Sequence, residues 1–231
     1  MSEQQLPETE PGTSPGDTPD DIRTADLLTA MESRILGALI EKQLSTPDSY
    51  PLTVNSLLSA CNQKSNREPV STYEQGEVVR TLRQLEQRRF VRYEMGARSE
   101  RYEQRLGHEL SLSKKQQALL CVMMLRGPQT PNELMTRTQR LYEFTDREDM
   151  LVSLERMTQG AEPVAILIPR QSGQRDDRYG HLLCGKPEFI ASANNTRRSN
   201  SASEIEELKN QLSALQKQLD RLYELTGHTP E

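Results

Sequence analysis

The chain contains no tryptophan, only 4% aromatic residues and three cysteines among its 231 residues. No apolar run approaches the roughly 20 residues that a membrane-spanning helix requires, so we expect no association with a membrane. The N-terminus has neither a basic start nor an apolar stretch, which argues against a secretory signal. The cysteines are isolated and odd in number, which fits a reducing compartment better than a disulfide framework. We therefore predict a cytoplasmic protein.

Sequence motifs of the common catalytic and cofactor sites are missing as well. The chain has no GxGxxG motif, no GxxxxGK(S/T) phosphate-binding loop and no HExxH zinc motif. Its three histidines lie far apart and no CxxC pair is present, so a zinc site of the usual spacing is not expected. Carboxylates are numerous but form no distinctive pair. We therefore predict no catalytic residue, no cofactor and no metal ligand, and we interpret the chain as non-enzymatic.

The net charge of −5 conceals a strong asymmetry along the chain. Residues 1–29 carry seven acidic residues and one basic residue, whereas residues 30–184 carry 22 basic and 20 acidic residues. Proteins dedicated to nucleic acids usually have a clearer excess of positive charge, so a nucleic-acid role would have to rest on a local patch. Residues 1–25 are also rich in Pro, Gly, Ser and Thr, and we predict that they form a disordered acidic tail.

Two units of similar order are predicted between residues 26 and 185. The first unit covers 26–108 and the second covers 109–185, and in each unit three helices precede two short strands. The helices are predicted near 31–43, 53–62, 73–89, 113–126, 130–135 and 146–159, and the strands at 90–94, 101–106, 165–170 and 178–183. The similarity of RYEQRL in the first unit to RYGHLL in the second indicates a duplication.

Three helices followed by a hairpin is the order of a winged helix-turn-helix domain, a fold that places one helix in the major groove of DNA. We therefore predict a mainly α protein of the α+β class, built from two tandem winged-helix domains whose wings are small β-hairpins. Thr53 and Thr130 precede predicted helices and are expected to be their N-caps.

A heptad pattern lies near the end of the chain, after a polar segment at 186–203 that we predict to be a flexible linker. Six apolar residues within 204–226 follow a 3-4-3-4-3 spacing, which places them at the a and d positions of a coiled coil. They are Ile205, Leu208, Leu212, Leu215, Leu219 and Leu222. This pattern predicts a helix that forms a homodimer, and the alternative is an amphipathic helix that folds back on its own domain.

The loop after the second helix is the first candidate for contact with DNA. Gln63, Lys64, Asn66 and Arg67 lie within the segment ACNQKSNREP, ahead of the predicted recognition helix. Amide side chains pair with adenine edges, and Lys and Arg pair with guanine or with phosphate, so this set suits a polar, anionic partner. The alternative is a solvated loop whose Asn and Ser side chains satisfy nearby backbone groups.

The second candidate is the arginine-rich segment at 80–105, which contains eight arginines and four glutamates. We expect Arg80, Arg98 and Arg101 to contact phosphates, the last two because they lie at or near the tip of the predicted wing. The alternative is a mixed-charge face in which the arginines pair with glutamates. Acidic residues begin the third helix of both units and would repel phosphate there, which argues against simple DNA reading by both units.

Three stretches of the chain resemble the YceH-like bacterial proteins, a family of uncharacterised function. They are ESRILGALIEKQLSTPDSYPLTVNSLLSACNQKSNREP at 32–69, LLCVMMLRGPQTPNELMTRTQRLYEF at 119–144 and IPRQSGQRDDRYGHLLCG at 168–185. The resemblance covers most of residues 30–185. It implies two winged-helix domains and often a C-terminal coiled-coil stretch, and it supplies no activity, ligand or site residue.

Two hypotheses for function follow from these observations. The leading one is a non-catalytic DNA-binding or transcription-related protein that uses the loop and arginine residues named above. The rival is a protein-interaction adaptor built on the same tandem domains, without DNA binding, because a fold does not determine a function. The near-neutral centre of the chain, the acidic starts of the third helices and the heptad segment favour the rival.

Overall fold

The structure, a computed structural model, describes residues 27–96, 99–160, 162–171 and 173–187. The predicted acidic tail, the predicted coiled-coil helix with its six heptad positions and nearly all of the predicted linker lie outside the described residues. Homodimerisation through those heptad positions therefore stays a prediction. The domain boundaries proposed from the sequence also stay predictions.

Helices predominate among the described residues, and two small antiparallel hairpins accompany them, which confirms the α+β class. The first unit contains α1 (Ala30–Ser45), a 3-10 turn (Pro47–Ser49), α2 (Val54–Cys61), α3 (Gln75–Gln87), β1 (Val91–Met95) and β2 (Glu100–Gln104). The chain continues with α4 (Leu106–Glu109), α5 (Lys114–Arg126), α6 (Pro131–Thr138), α7 (Arg147–Thr158), β3 (Ala165–Ile168) and β4 (Arg178–His181). An order of three helices and a hairpin thus occurs twice, and the short helix α4 separates the two sets.

Several helices begin at side chains that satisfy the free backbone N–H groups of the first turn. Thr29 Oγ1 accepts a hydrogen bond from Glu32 N while the Glu32 carboxylate accepts one from Thr29 N, which forms a capping box for α1. The same arrangement joins Thr130 and Glu133 at the start of α6. Thr53 caps α2 by accepting a hydrogen bond from the backbone of the first turn. The predicted N-caps at Thr53 and Thr130 are therefore confirmed.

Each hairpin is tied to the segment that precedes the second helix of its unit. Leu52 and Tyr102 exchange backbone hydrogen bonds of 3.1 and 2.7 Å. Gln129 and Tyr179 exchange equivalent bonds of 2.9 and 2.7 Å. Each bridge places a third extended segment beside a two-stranded hairpin and fixes the hairpin against the helices of its unit.

An arginine next to each of these tyrosines makes the same contact in both units. Arg101 donates a hydrogen bond to Pro51 O at 2.9 Å, and Arg178 donates one to Pro128 O at 3.0 Å. Both bonds join residues that are 50 positions apart in the sequence. Equivalent contacts at equal spacing support the duplication that the two hairpin sequences indicate.

One hydrophobic core runs through both units, because α1 packs directly against α5. Both helices are covered on almost every side, since all residues at 32–40 and at 118–125 are buried. Gly37 lies where the two helices meet, and a Cβ added there would lie 2.9 Å from Leu125 Cδ2. Cys121 donates a hydrogen bond to Gly37 O at 3.3 Å. Close contact between α1 and α5 therefore joins the two units.

The first hairpin extends away from this core. Val91 lies opposite Gln104 at the base of the hairpin, and Met95 lies opposite Glu100 towards the turn. Only Val91 of the five residues of β1 is buried. Residues 92–95 of the hairpin are therefore exposed to solvent on both faces.

Candidate nucleic-acid interface

The loop that joins α2 to α3, residues 62–74, is fixed in place from inside the protein. The Asn62 side chain accepts a hydrogen bond from Tyr73 N and donates one to Tyr73 O, both at 2.9 Å, which holds the two ends of the loop together. The buried Arg34 guanidinium of α1 donates a hydrogen bond to Pro69 O at 2.7 Å. These bonds give the exposed loop residues a defined position relative to α3.

The sequence predicts that Arg67 contacts DNA, but the structure places Arg67 in the interior. Its side chain is 0% exposed and forms an ion pair with Glu41 of α1, with nitrogen–oxygen distances of 2.5 and 3.2 Å. The same guanidinium donates hydrogen bonds to Ala60 O at 2.8 and 3.0 Å and to Asn66 O at 2.9 Å. These bonds use all five N–H donors of an arginine, so none remains for DNA. We correct the prediction accordingly: Arg67 positions the loop.

The other predicted loop residues lie at or near the surface. Lys64 and Asn66 are exposed, and Gln63 is half-buried. Asn66 has a φ of +62°, a left-handed conformation that asparagine tolerates better than most residues. Its side-chain oxygen accepts a hydrogen bond from Arg126 at the end of α5. Lys64 forms no ion pair within the described part of the chain, so its ammonium group is available to an anion.

The exposed face of α3 carries two arginines one turn apart. Arg80 and Arg83 are exposed, and neither forms an ion pair with another described residue. The opposite side of α3 is buried against the core, which directs these arginines towards solvent. The acidic residues at the start of the helix are used locally, because Glu74 N donates a hydrogen bond of 2.8 Å to the Glu77 carboxylate in a capping box. The sequence-based set of contacts includes Arg80 but omits Arg83, although the arginine-rich segment contains both.

The arginines of the first hairpin are mostly engaged with acceptors. Arg101 is exposed, but it donates a hydrogen bond to the backbone before α2, and Arg98 lies outside the described residues. Arg92 pairs with Glu94 at 2.7 Å, and weaker pairs at 3.6 and 3.9 Å involve Glu103. The mixed-charge alternative therefore describes Arg92 and Arg105, whereas Arg80 and Arg83 of α3 have no carboxylate partner among the described residues.

The second unit also carries exposed arginines without an ion pair among the described residues, namely Arg147 and Arg156 of α7, but other cations of this unit are paired. Arg178 pairs with Glu133 at 2.9 Å, and Arg137 pairs with the same carboxylate at 3.4 Å. Lys115 of α5 pairs with Asp149 of α7, and this hydrogen bond raises the pKa of the lysine and lowers the pKa of the aspartate. Both units therefore present exposed cations to solvent, and the contact residues predicted from the sequence lie in the first unit.

The buried reactive side chains lie in the core and not in a cleft. Burial raises the pKa of the Cys61 thiol to about 12, and Cys121 is likewise buried with a raised pKa. Burial lowers the pKa of His181 in β4 to about 4.

Within the described ranges, no group of three or more His, Cys, Asp or Glu side chains is arranged to hold a metal ion. No helix among the described residues combines the length and the apolar character needed to cross a bilayer.

Comparisons with known proteins identify the family of the chain. A family model described as a protein of unknown function, DUF480, matches residues 28–174. A UPF0502 protein of Cellvibrio japonicus is 52% identical over 207 residues, which cover 86% of this chain and 95% of the relative. A UPF0502 protein of Ectopseudomonas mendocina is 54% identical over 165 residues, which cover 71% of this chain and 75% of the relative. A third, from Stenotrophomonas maltophilia, is 47% identical over 176 residues, covering 75% and 80%. These findings confirm the resemblance to the YceH-like proteins, and the chain belongs to the DUF480, or UPF0502, family of bacterial proteins.

Proposed function

We propose that this protein is a non-catalytic DNA-binding protein, in which the first unit is a winged-helix domain and α3 is its recognition helix. The observation that carries the proposal is the pair of exposed arginines on α3, Arg80 and Arg83, neither of which has a carboxylate partner among the described residues. The succession of α2, the fixed loop, α3 and a projecting hairpin supports the assignment of a helix-turn-helix with a wing. The repeated order in the second unit supports a tandem arrangement.

The proposed contacts come from three elements of the first unit. Arg80 and Arg83 on α3 pair with phosphates or with guanine edges, for which the planar guanidinium is suited. Lys64 adds a phosphate contact from the loop, and Gln63 is placed near enough in sequence to contribute an amide. Arg101 is exposed on the hairpin and uses one donor for Pro51 O, so its other donors are assigned to a wing contact. Arg67 contributes only indirectly, because it holds the loop in position.

Binding of the purified protein to random genomic DNA fragments, measured as salt is raised, tests this proposal. Each neutralised phosphate releases counterions, so the logarithm of affinity should fall linearly with the logarithm of salt concentration. Joint replacement of Arg80 and Arg83 by glutamine should flatten this slope by about 1.8, which corresponds to about 0.9 for each phosphate. Joint replacement of Arg147 and Arg156 on α7 by glutamine would match the loss of two charges, and Arg156→Gln alone is the control for loss of one exposed helical arginine.

Two results would overturn the proposal. One is an absence of binding by the wild-type protein even at the lowest salt concentration. The other is a joint Arg80 and Arg83 variant that binds DNA with the affinity and the salt dependence of the joint Arg147 and Arg156 control. Recovery of enriched sequences from the bound fragments would extend the proposal to a sequence-specific regulator.

A protein-interaction adaptor is the second candidate, and the exposed apolar residues of β1 favour it. Met95 is 76% exposed and Tyr93 is 47% exposed, on the projecting part of the first hairpin. Association through such apolar side chains would respond little to salt, since it does not depend on charge. The adaptor would be favoured if this protein does not bind DNA but forms a complex with another protein. That complex should persist at high salt and should weaken when Met95 is replaced by serine.

The heptad segment at 204–226 supports the further proposal of a cytoplasmic homodimer. A dimer would present two copies of α3 to DNA and would double the number of phosphate contacts. Sedimentation of the wild-type protein and of a Leu212→Glu variant measures this directly. We expect a dimer for the wild type and a monomer for the variant, and identical sedimentation of the two would contradict the proposed interface.

A further inference from the structure

Arg126, the last residue of α5, lies where the two units meet. Its guanidinium donates a hydrogen bond to the side-chain oxygen of Asn66 in the α2–α3 loop. Next to this contact, Glu68 N donates a hydrogen bond of 2.8 Å to Leu125 O, which fixes the loop against the end of α5. The only side-chain hydrogen-bond acceptor that Arg126 has among the described residues is therefore a neutral amide.

The positive charge of Arg126 lies among other positive charges. Burial, and after it the charge of Arg137 on α6, lowers the pKa of the Arg126 guanidinium, and Arg67 acts in the same direction. The carboxylate of Glu68 acts in the opposite direction but forms no ion pair with Arg126. An arginine remains protonated at neutral pH in such surroundings, so a half-buried positive charge persists here without a directly bonded anion.

Apart from Glu68, which is exposed and forms no ion pair among the described residues, two nearby carboxylates are committed to other arginines. Glu41 is paired with Arg67, and Glu133 is shared by Arg137 and Arg178. These pairs leave the charge of Arg126 without a dedicated counter-charge among the described residues.

The guanidinium of Arg126 is also not needed to cap its own helix. The Gln129 side-chain nitrogen lies 3.2 Å from Arg126 O, 3.2 Å from Gly127 O and 3.0 Å from Pro128 O, and its two N–H groups can donate to two of these three oxygens. Carbonyl groups at the end of α5 are therefore bonded by an amide and not by Arg126. The side chain of Arg126 is turned instead towards the loop of the other unit.

We propose that Lys64, Asn66 and Arg126 form a phosphate-binding notch at the junction of the two units, and that this notch holds one phosphodiester of the DNA backbone. The inference rests on the proposed DNA-binding function and adds a residue of the second unit to the DNA site. Arg126 supplies a bidentate contact, and Lys64 supplies an unpaired ammonium group. Asn66 accepts from Arg126 through its oxygen, which leaves its amide N–H groups to donate to a phosphate oxygen.

The test compares the salt dependence of duplex DNA binding by the full chain and by two notch variants. Arg126→Gln removes the charge, and we expect the slope to fall by about 0.9 and the affinity in 0.1 M salt to fall by on the order of tenfold. Asn66→Asp places a carboxylate at the atom that already contacts Arg126, so it should neutralise the notch and weaken DNA binding similarly. Asn66 is exposed and aspartate tolerates its backbone conformation, so this variant tests the notch without removing a buried group.

Arg156→Gln serves again as the control for loss of one positive charge. Arg156 acts electrostatically on Lys115, which lies in the first turn of α5 and about 16 Å along the helix from Arg126. Melting temperatures of all variants show whether each is folded. If Arg126→Gln does not fold, the result for Asn66→Asp decides the question.

The outcomes separate the notch from the DNA-binding proposal. Weaker binding and a lower slope for the notch variants, with unchanged binding for Arg156→Gln, would support the notch. If the wild type binds DNA and the notch variants bind as tightly as Arg156→Gln, the notch is refuted and DNA binding by α3 stands. If the wild type does not bind DNA at low salt, both proposals are overturned.

Discussion

Replacement of Arg67 by alanine distinguishes a structural role of this residue from a direct contact with DNA. Its side chain has no exposed area and donates hydrogen bonds to a carboxylate and to two backbone carbonyl groups. The structure therefore predicts that Arg67→Ala lowers the free energy of unfolding. A direct DNA contact would instead predict a loss of DNA affinity in a variant of unchanged stability.

The expected magnitude follows from what the alanine variant leaves behind. Glu41, whose side chain is only 16% exposed, would keep its charge without a partner, and Ala60 O would lose both donors that reach it from Arg67. Removal of one member of a buried ion pair costs about 3–5 kcal/mol, because the remaining charge stays desolvated. For a chain of this size, about 2–4 °C of melting temperature corresponds to each kcal/mol, so we expect a fall of about 6–20 °C.

Urea unfolding followed by circular dichroism measures this loss, and a double-mutant cycle isolates the ion pair. Glu41→Gln and the double variant complete the cycle, and the double variant should lose about 2 kcal/mol less than the sum of the single losses. A loss below about 1 kcal/mol for Arg67→Ala, or strictly additive effects, would refute the argument from a buried pair. An Arg67→Ala protein that melts like the wild type but has lost its DNA affinity would return Arg67 to the interface.

Three further predictions concern the core. Gly37→Val should lower the free energy of unfolding by about 1–3 kcal/mol in urea, because even a Cβ there would lie 2.9 Å from a leucine of α5. Gly76→Ala is the control and should be neutral or slightly stabilising, because its added Cβ meets nothing within 4 Å. Equal losses of stability in the two variants would contradict the close packing of α1 on α5. The pKa of His181 is lowered from 6.5 to about 4 in the folded state, so the unfolded state binds the proton more readily and stability falls as pH drops from 6.5 towards 4. The full loss of folding stability is about 3 kcal/mol. A His181→Leu variant should lack this pH dependence. If its stability changed between pH 6.5 and pH 5 as much as that of the wild type, the prediction would be disproved. In a thiol-modification assay the exposed Cys184 should react faster than the buried Cys121, which should react only as fast as the protein unfolds. Burial raises the pKa of Cys184 and slows its reaction, but its thiol remains accessible. Equal rates for the two thiols would show that the core is open.

Features with a local signal in the sequence were predictable. Apolar residues at helical spacing and threonines before two of the helices correctly indicated where several elements lie. The two hairpins were also predictable, because short strand-forming segments flank a polar turn in each unit. Capping and turn formation depend on residues within a few positions of one another, so one short stretch of sequence contains the necessary information.

The composition of the candidate site was only partly predictable, because it depends on contacts between distant parts of the chain. Arg67 and its partner Glu41 are 26 positions apart, and Asn66 and Arg126 are 60 positions apart. No local pattern distinguishes an arginine that will be buried beside a glutamate from one that will face solvent. From its sequence, the polar loop is therefore expected to be exposed throughout. In the structure one of its four predicted contact residues, Arg67, is buried.

The apolar pattern of α1 shows a similar limit. Ile35, Leu36, Leu39 and Ile40 predict a helix with one buried face. The structure also buries Glu32, Ser33 and Arg34, because other parts of the chain cover this end of the helix: Glu32 pairs with Arg88 after α3, and Arg34 bonds to the α2–α3 loop.

The packing of α1 on α5 also has a consequence for how the chain can be divided. A fragment that ended near residue 108 would present to water the side of α1 that α5 now covers, including Gly37 and its neighbours. Each square ångström of apolar surface uncovered in this way costs about 25 cal/mol, and the fragment would have no second hydrophobic layer to replace α5. Each unit therefore depends on the other for its stability, unlike two independently folding copies of a domain. If one unit is exchanged for another sequence, the replacement must keep the surface of α1 or α5 that covers the hydrophobic core of the remaining unit.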